Sequence, residues 1–214
     1  MKHFFPELPR FLTRHLLSAL LALVFATSAP LGAKADSVAL GQVEQFHQVL
    51  LDIMQNAESL GTQGRFDRVA PAVRETFALE RMVRIASGSA WRESDAETKA
   101  ELVKAFHRMT AATYASQFKG HDGETFETTG TRPGPRGTTL IDTQLNVPES
   151  SRTVPLVYVT LSKGKQGRIV DVLLDGDISQ LAVRRSEYQR IVDQGGATAL
   201  IAELNGMADK LLAD

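Results

Sequence analysis

The apolar positions of this chain follow two rhythms, one of three and four residues and one of two. Between Asp36 and Leu60, Val43, Phe46, Leu50, Ile53 and Ala57 recur at spacings of three and four, which places them on one stripe of a helix. Gly61 and Gly64 end that pattern. A second helical stretch, Arg65 to Ala86, carries Phe66, Val69, Val73, Phe77, Met82 and Ile85, with Pro71 tolerable only near a helix start or at a kink. Gly88 and Trp91 lie in the next turn. Ser94 and Glu97 read as a capping box opening a helix to about Phe118 through Leu102, Phe106, Met109 and Tyr114. Gly120, Gly123, Gly130 and Pro133-Gly134-Pro135 then punctuate a change of rhythm.

From Thr138 to Val147 the period is two: Ile141, Thr143, Leu145 and Val147 point one way, Asp142, Gln144 and Asn146 the other. Val154 to Leu161 is apolar on both faces, with Pro155 marking an edge or a bulge. Ile169 to Leu174 is a third strand, and Glu124 to Thr129 is a weaker one ahead of them. The short connections at 148–151 and 163–167 make the three strong strands antiparallel neighbours. After Gly176, Asp177 stands where a helix N-cap belongs, with Gln180 three residues on. Two closing helical stripes flank Gly195-Gly196: Leu181, Tyr188 and Val192, then Leu200, Leu204, Met207 and Leu211. The order predicts an α+β fold with helices packed on one face of a curved antiparallel sheet of about four strands.

The first 35 residues do not belong to that domain. Lys2, Arg10, Arg14 and His15 form a basic stretch, Leu16 to Ala29 is an uncharged apolar run, and Ala33-Lys34-Ala35 has the small residues of a cleavage site. The run, about 14 residues, is shorter than the ~20 needed to span a bilayer. These features predict a cleaved secretory leader over 1–35 and a single exported domain over 36–214. Cleavage would remove four of the 24 basic residues and one of the 25 acidic ones, leaving a net charge of −4. A mildly acidic product argues against a general nucleic-acid or anionic-membrane binder. Cysteine is absent, so thiol chemistry, thiolate metal sites and lipid attachment through cysteine are excluded.

Catalytic signatures are missing too. His47, His107 and His121 sit on separate elements without metal-ligand spacing, and each reads as a polar surface residue. No nucleophile elbow, Walker loop or dinucleotide fingerprint occurs. Asp171, Asp175 and Asp177 form an acidic trio, but they lack the ligand order of a calcium loop. No cofactor, metal or catalytic residue is assigned.

The stretch from Arg168 to Tyr188 carries the most specific signal. Asp171, Val172, Leu174, Gly176, Ile178, Ser179, Arg185, Ser186 and Tyr188 match a D-V-x-(I/L)-x-G-(V/I)-S…R-S-x-(F/Y) pattern. In this the chain resembles the MlaC family of periplasmic lipid carriers. Ser87-Gly88-Ser89-Ala90-Trp91 is similar to the family's small-residue–G-x-x-W turn. The order of elements agrees over most of residues 36–214, and the wording Ile178–Glu187 resembles the hopanoid-associated HpnM branch. One departure is plain: Arg168 stands where many members have an aromatic residue.

The resemblance implies a soluble periplasmic carrier that binds the apolar part of a phospholipid or hopanoid in an internal cavity. It implies a monomer that shuttles lipid between an inner-membrane transporter complex and an outer-membrane lipoprotein complex. On that reading Ile141, Leu145, Val157, Val159, Val172 and Leu174 supply the sheet wall of the cavity. Phe46, Leu50, Phe106, Met109, Tyr114 and Tyr188 supply part of the helical lid, and Arg184 and Arg185 are the candidate partner-docking residues, with the acidic run Asp95 to Glu101 as the other candidate. Two other readings stay open. One is a small enzyme with a cone-shaped cavity and Asp171 as base beside Tyr188; the other is an adaptor that docks through Ser179–Gln194 and carries nothing.

Overall fold

The computed structural model describes residues 31–163 and 166–213. The basic stretch and apolar run assigned to the leader, and Gly164 and Lys165 of one predicted loop, lie outside these residues. Among the described residues six α-helices and five strands appear in the order α1 (Leu31–Gln55), α2 (Ala57–Thr76), α3 (Leu79–Ser87), α4 (Ser89–Glu93), α5 (Ala96–Gln117), β1 (Thr125–Pro133), β2 (Thr139–Val147), β3 (Arg152–Lys163), β4 (Gln166–Leu174), β5 (Ile178–Ser179) and α6 (Gln180–Ala213). The fold is α+β: an open antiparallel sheet in the order β1-β2-β3-β4-β5, packed against the helices. Among the described residues no helix is long and apolar enough to cross a membrane.

Glycine breaks act where the periodicity stops. Gly61 adopts φ 58°, which splits α2 after its first turn, and Gly195 and Gly196 kink α6 between its two predicted stripes. Pro71, in contrast, is carried inside α2. The single helix predicted over Arg65–Ala86 is in fact two, because Phe77 is extended and forms a parallel bridge to Ile169. The Ala78 amide then donates to the Ile169 carbonyl at 2.8 Å. This segment and β5 share the edge of β4, which would otherwise present unpaired backbone groups to solvent. Arg168 fastens the same junction, its Nη1 donating to the Arg74 and Phe77 carbonyls at 3.0 and 3.4 Å.

Two predicted caps move. Asp95, not Ser94, caps α5 by accepting from the Thr98 amide at 2.8 Å, while the Ser94 hydroxyl donates back to the Ala90 carbonyl. Ser179, not Asp177, caps α6, accepting from the Ala182 amide at 3.0 Å. Pro155 pairs with Gln144 of β2, but β4 begins its pairing with β3 only at Leu156, so the missing N–H of Pro155 costs no ladder bond on that side.

The core lies between the sheet and the helical layer. Phe46 meets Phe77 and Tyr114 edge-on, at 5.2 and 5.1 Å, and Ile141, Tyr158 and Ile169 close the core from the sheet. His47 and His107 are buried, not surface residues. Each has a partner: His47 Nε2 lies 3.0 Å from the Tyr158 hydroxyl, and His107 Nε2 lies 2.8 Å from the Ala70 carbonyl.

Candidate functional site

A cavity of about 250 Å³ remains where the inner face of the sheet fails to close on α5 and α6. On α5 its wall is the stripe Phe106, Thr110, Thr113, Tyr114 and Gln117, at helical spacings of three and four. From α6 come Gln180, Leu181 and Arg184, all within the first two turns. The sheet contributes Leu145 from β2, Val154, Leu156 and Tyr158 from β3, and Val172 and Leu174 from β4. These residues lie on one face because the register pairs Leu145 with Val154, Tyr158 with Val172 and Leu156 with Leu174. Phe77, Met82 and Phe118 complete the wall. Larger depressions, such as the one along Arg185, Gln189 and Asp193 of α6, are open surface grooves.

The one carboxylate in the cavity wall, Asp171, is fully employed in building it. Its Oδ1 accepts from the amides of Val172 and Leu181 at 2.8 and 3.0 Å, and its Oδ2 accepts from the Ser179 hydroxyl. Ser179 in turn accepts from Ala182. Two of the orphan amides that open α6 are thus satisfied by the D-V…S pattern itself. The motif is a strand-to-helix clamp, and it fixes where Arg184 emerges one turn later.

The phenols and the imidazole in and behind this wall are held in neutral form. Burial pushes the phenols of Tyr114, Tyr158 and Tyr188 up, Tyr158 far above its ordinary value, so all three remain protonated across physiological pH. Burial pushes His47 down from 6.5 to about 4, so it is neutral and stacks on Phe126 at 4.2 Å. Arg184 is the cation of the wall. It is half-buried, and its Nη1 lies 3.1 Å from the Met109 sulfur and 3.4 Å from the Tyr188 hydroxyl.

The residues predicted for the site divide into three groups. Phe106, Tyr114, Leu145, Val172 and Leu174 line the cavity. Phe46, Leu50, Met109, Ile141 and Tyr188 are buried behind that wall as core. Val157 and Val159 do not line it: Tyr158 faces inward opposite Val172, so its neighbours alternate to the face away from the helices. A strand apolar on both faces gives no parity in the sequence, and the register puts Leu156 and Tyr158, rather than the β-branched pair, toward the cavity. The two candidate docking arginines also part company, because adjacent helical residues diverge by about 100°. Arg184 turns into the cavity, whereas Arg185 is exposed beside the α6 groove. Residues the sequence reading missed include Phe77, Thr110, Leu156, Tyr158 and Leu181. Thr110 could have been found by extending the Phe106–Tyr114 stripe through its polar members.

A family model described as MlaC protein matches residues 44–206. A solved structure of a phospholipid-binding protein from Ralstonia solanacearum, in complex with a phospholipid, superposes with a TM-score of 0.67. The two share 17% sequence identity, and the alignment covers 83% of this chain and 98% of the other. No curated protein sequence matches.

Proposed function

This chain belongs to the MlaC family, and from that premise we propose that it is a non-enzymatic periplasmic lipid carrier. The observation that carries the reading is the cavity itself: a mostly apolar space between two layers of the fold, whose only wall carboxylate is committed to capping α6. A solved structure of the same fold holds a phospholipid, which supports the same ligand class here.

The physical task is large. Two acyl tails expose about 30 methylenes, and at ~0.8 kcal/mol each their exposure costs on the order of 20 kcal/mol. Burying them inside a protein removes most of that barrier to crossing an aqueous compartment. The cavity, about 250 Å³, is below the range of roughly 300–1,000 Å³ that encloses a drug-sized ligand. A diacyl lipid therefore enters by further separation of the sheet from α5 and α6. Phe106, Tyr114, Leu145, Val172 and Leu174 contact the tails first, and Met109, Tyr188, Phe46, Leu50 and Ile141 are reached only as the layers part.

The finer parts of the reading rest on the pattern of the N-terminal residues and on the family resemblance. They are a leader removed after Ala35, a monomer exchanging lipid between an inner-membrane transporter complex and an outer-membrane lipoprotein complex, docking by Arg185, and a hopanoid as the alternative to a phospholipid on the wording of Ile178–Glu187. Native mass spectrometry of protein exported by its own leader and purified without detergent tests the central claim. A bound mass of phospholipid or hopanoid size is the expected result. A bare protein mass, unchanged after incubation with lipid vesicles, would overturn it.

A further inference from the structure

We propose that Arg184 and Thr110 form a subsite for the phosphate of a lipid head group, which makes the carrier selective for phosphate-bearing lipids over neutral polycyclic ones. The inference rests on the carrier reading above and gives that cavity a polar end. Three observations carry it.

First, Thr110 is only 6% exposed, lines the cavity, and its hydroxyl has no hydrogen-bond partner among the described residues. A buried hydroxyl left unpaired is disfavoured, and helical threonines usually return their hydroxyl to the preceding turn, as Thr113 does to the Met109 carbonyl at 2.9 Å. Thr110 keeps its bond for something else in the cavity. Second, Arg184 lines the same cavity and forms no ion pair among the described residues. Its contacts are the Met109 sulfur and the Tyr188 hydroxyl, weak acceptors that leave most of its five donors unused. Third, the only carboxylate in the wall is not available to it, since both Asp171 oxygens serve the α6 clamp.

The pair shares one space: Thr110 from α5 and Arg184 from the start of α6 line the same cavity of about 250 Å³. A guanidinium fork plus a hydroxyl donor matches an anionic tetrahedral oxygen group, and the surrounding apolar wall strengthens such charge-assisted bonds. Tails of the same molecule would run along Val172, Leu145 and Phe106. A hopanoid without an acidic group would leave both Arg184 and Thr110 unpaired.

Delipidated full-length protein is to be incubated with phosphatidylglycerol vesicles and, separately, with dispersed dioleoylglycerol, which has the same tails and no phosphate. Bound lipid is counted by native mass spectrometry, and folding is checked by thermal melting. Arg184→Met is expected to lower phosphatidylglycerol loading about tenfold or more while leaving dioleoylglycerol loading within about twofold. Arg184→Lys should restore part of the loss. Thr110→Val should lower only the phosphatidylglycerol signal, by a few-fold, without lowering Tm, since the hydroxyl has no protein partner to lose.

Wild-type preference retained in both variants would overturn the subsite and leave the carrier reading intact. Equal loss of both lipids in Arg184→Met would overturn it as well, exposing a purely structural role. Failure of the wild type to take up either lipid would sink the carrier reading along with it. Inorganic phosphate alone raising Tm as much as the lipid, in an Arg184-dependent way, would overturn a lipid head group as the source.

Discussion

Two buried polar side chains show how a single residue departs from its statistical role. Arg65 is 7% exposed, and its guanidinium donates to the carbonyls of Ala115 and Ala57 at 2.8 and 3.0 Å and to the Thr62 hydroxyl. It thereby satisfies the C-terminal turn of α5 from the kink of α2. Arg65→Ala strands two buried carbonyls and is expected to cost about 3 kcal/mol or more in urea denaturation, with Arg65→Lys recovering less than half because an ammonium cannot span the fork. His47 predicts a pH dependence. An unfolded histidine takes up its proton near 6.5, whereas the buried ring resists until about 4. Above pH 6.5 neither state is protonated there, and stability is independent of this group. Between 6.5 and 4 the unfolded state binds more protons, so stability falls as pH falls, by about 2 kcal/mol from pH 7 to pH 5. His107, also pushed down chiefly by burial, acts in the same direction. His47→Gln should flatten that slope in denaturation curves taken at the two pH values, and an unchanged slope would assign the acid sensitivity elsewhere. Neither role was legible in the sequence, because an isolated Arg or His carries no sign of which helix will cover it.

At the scale of elements the periodicity located the long helical stretches and four of the five strands, while α4 reads as a turn; two of its errors share one cause, long-range pairing. Asp177 and Ser179 are equally good caps by residue type. Pairing of Ile178 and Ser179 with Leu174 and Leu173 holds the chain extended for two more residues, so the helix starts after Ser179. The helix over Arg65–Ala86 broke for the same reason, at Phe77, where β4 needed an edge partner. The clamp makes a testable element. Ser179→Ala is expected to cost about 1 kcal/mol and Asp171→Ala about 2–3, with both accelerating hydrogen exchange in the first turn of α6. If exchange there is unaffected, the clamp does not set the start of the helix. Gly167 reports on how closely β4 approaches α1: a Cβ there would sit 2.6 Å from the Ala39 Cα and Cβ. Since backbone is what obstructs it, Gly167→Ala should cost about 1–3 kcal/mol, measured as a lower denaturation midpoint.

On the scale of the whole molecule, the existence of a cavity followed from the family pattern, but its wall did not follow from apolarity. Val157 and Val159 are as apolar as any residue of β3 and lie on the wrong face; Tyr158 and Leu156 lie on the right one. Only the pairing of Tyr158 with Ile141 and Val172 decides that parity, and pairing is a property of three strands together. The distinction gives a direct test of whether the cavity is a binding space or a packing flaw. Val172 is inside and half-buried, so Val172→Phe fills part of the roughly 250 Å³ with little need for the core to move. A flaw that is filled should raise Tm, with no effect on ligand because there is none. A binding space that is filled should lose at least about tenfold in lipid loading while the fold stays as stable as wild type or more so. Val159→Phe, the same change in bulk on the outward face, should leave loading unaltered and thereby exclude a general effect of disturbing the sheet. Loss of loading in Val172→Phe alone would tie uptake to the inner face. Equal loss in both would mean that the substitutions disturb the sheet as a whole, and uptake would not be tied to the inner face.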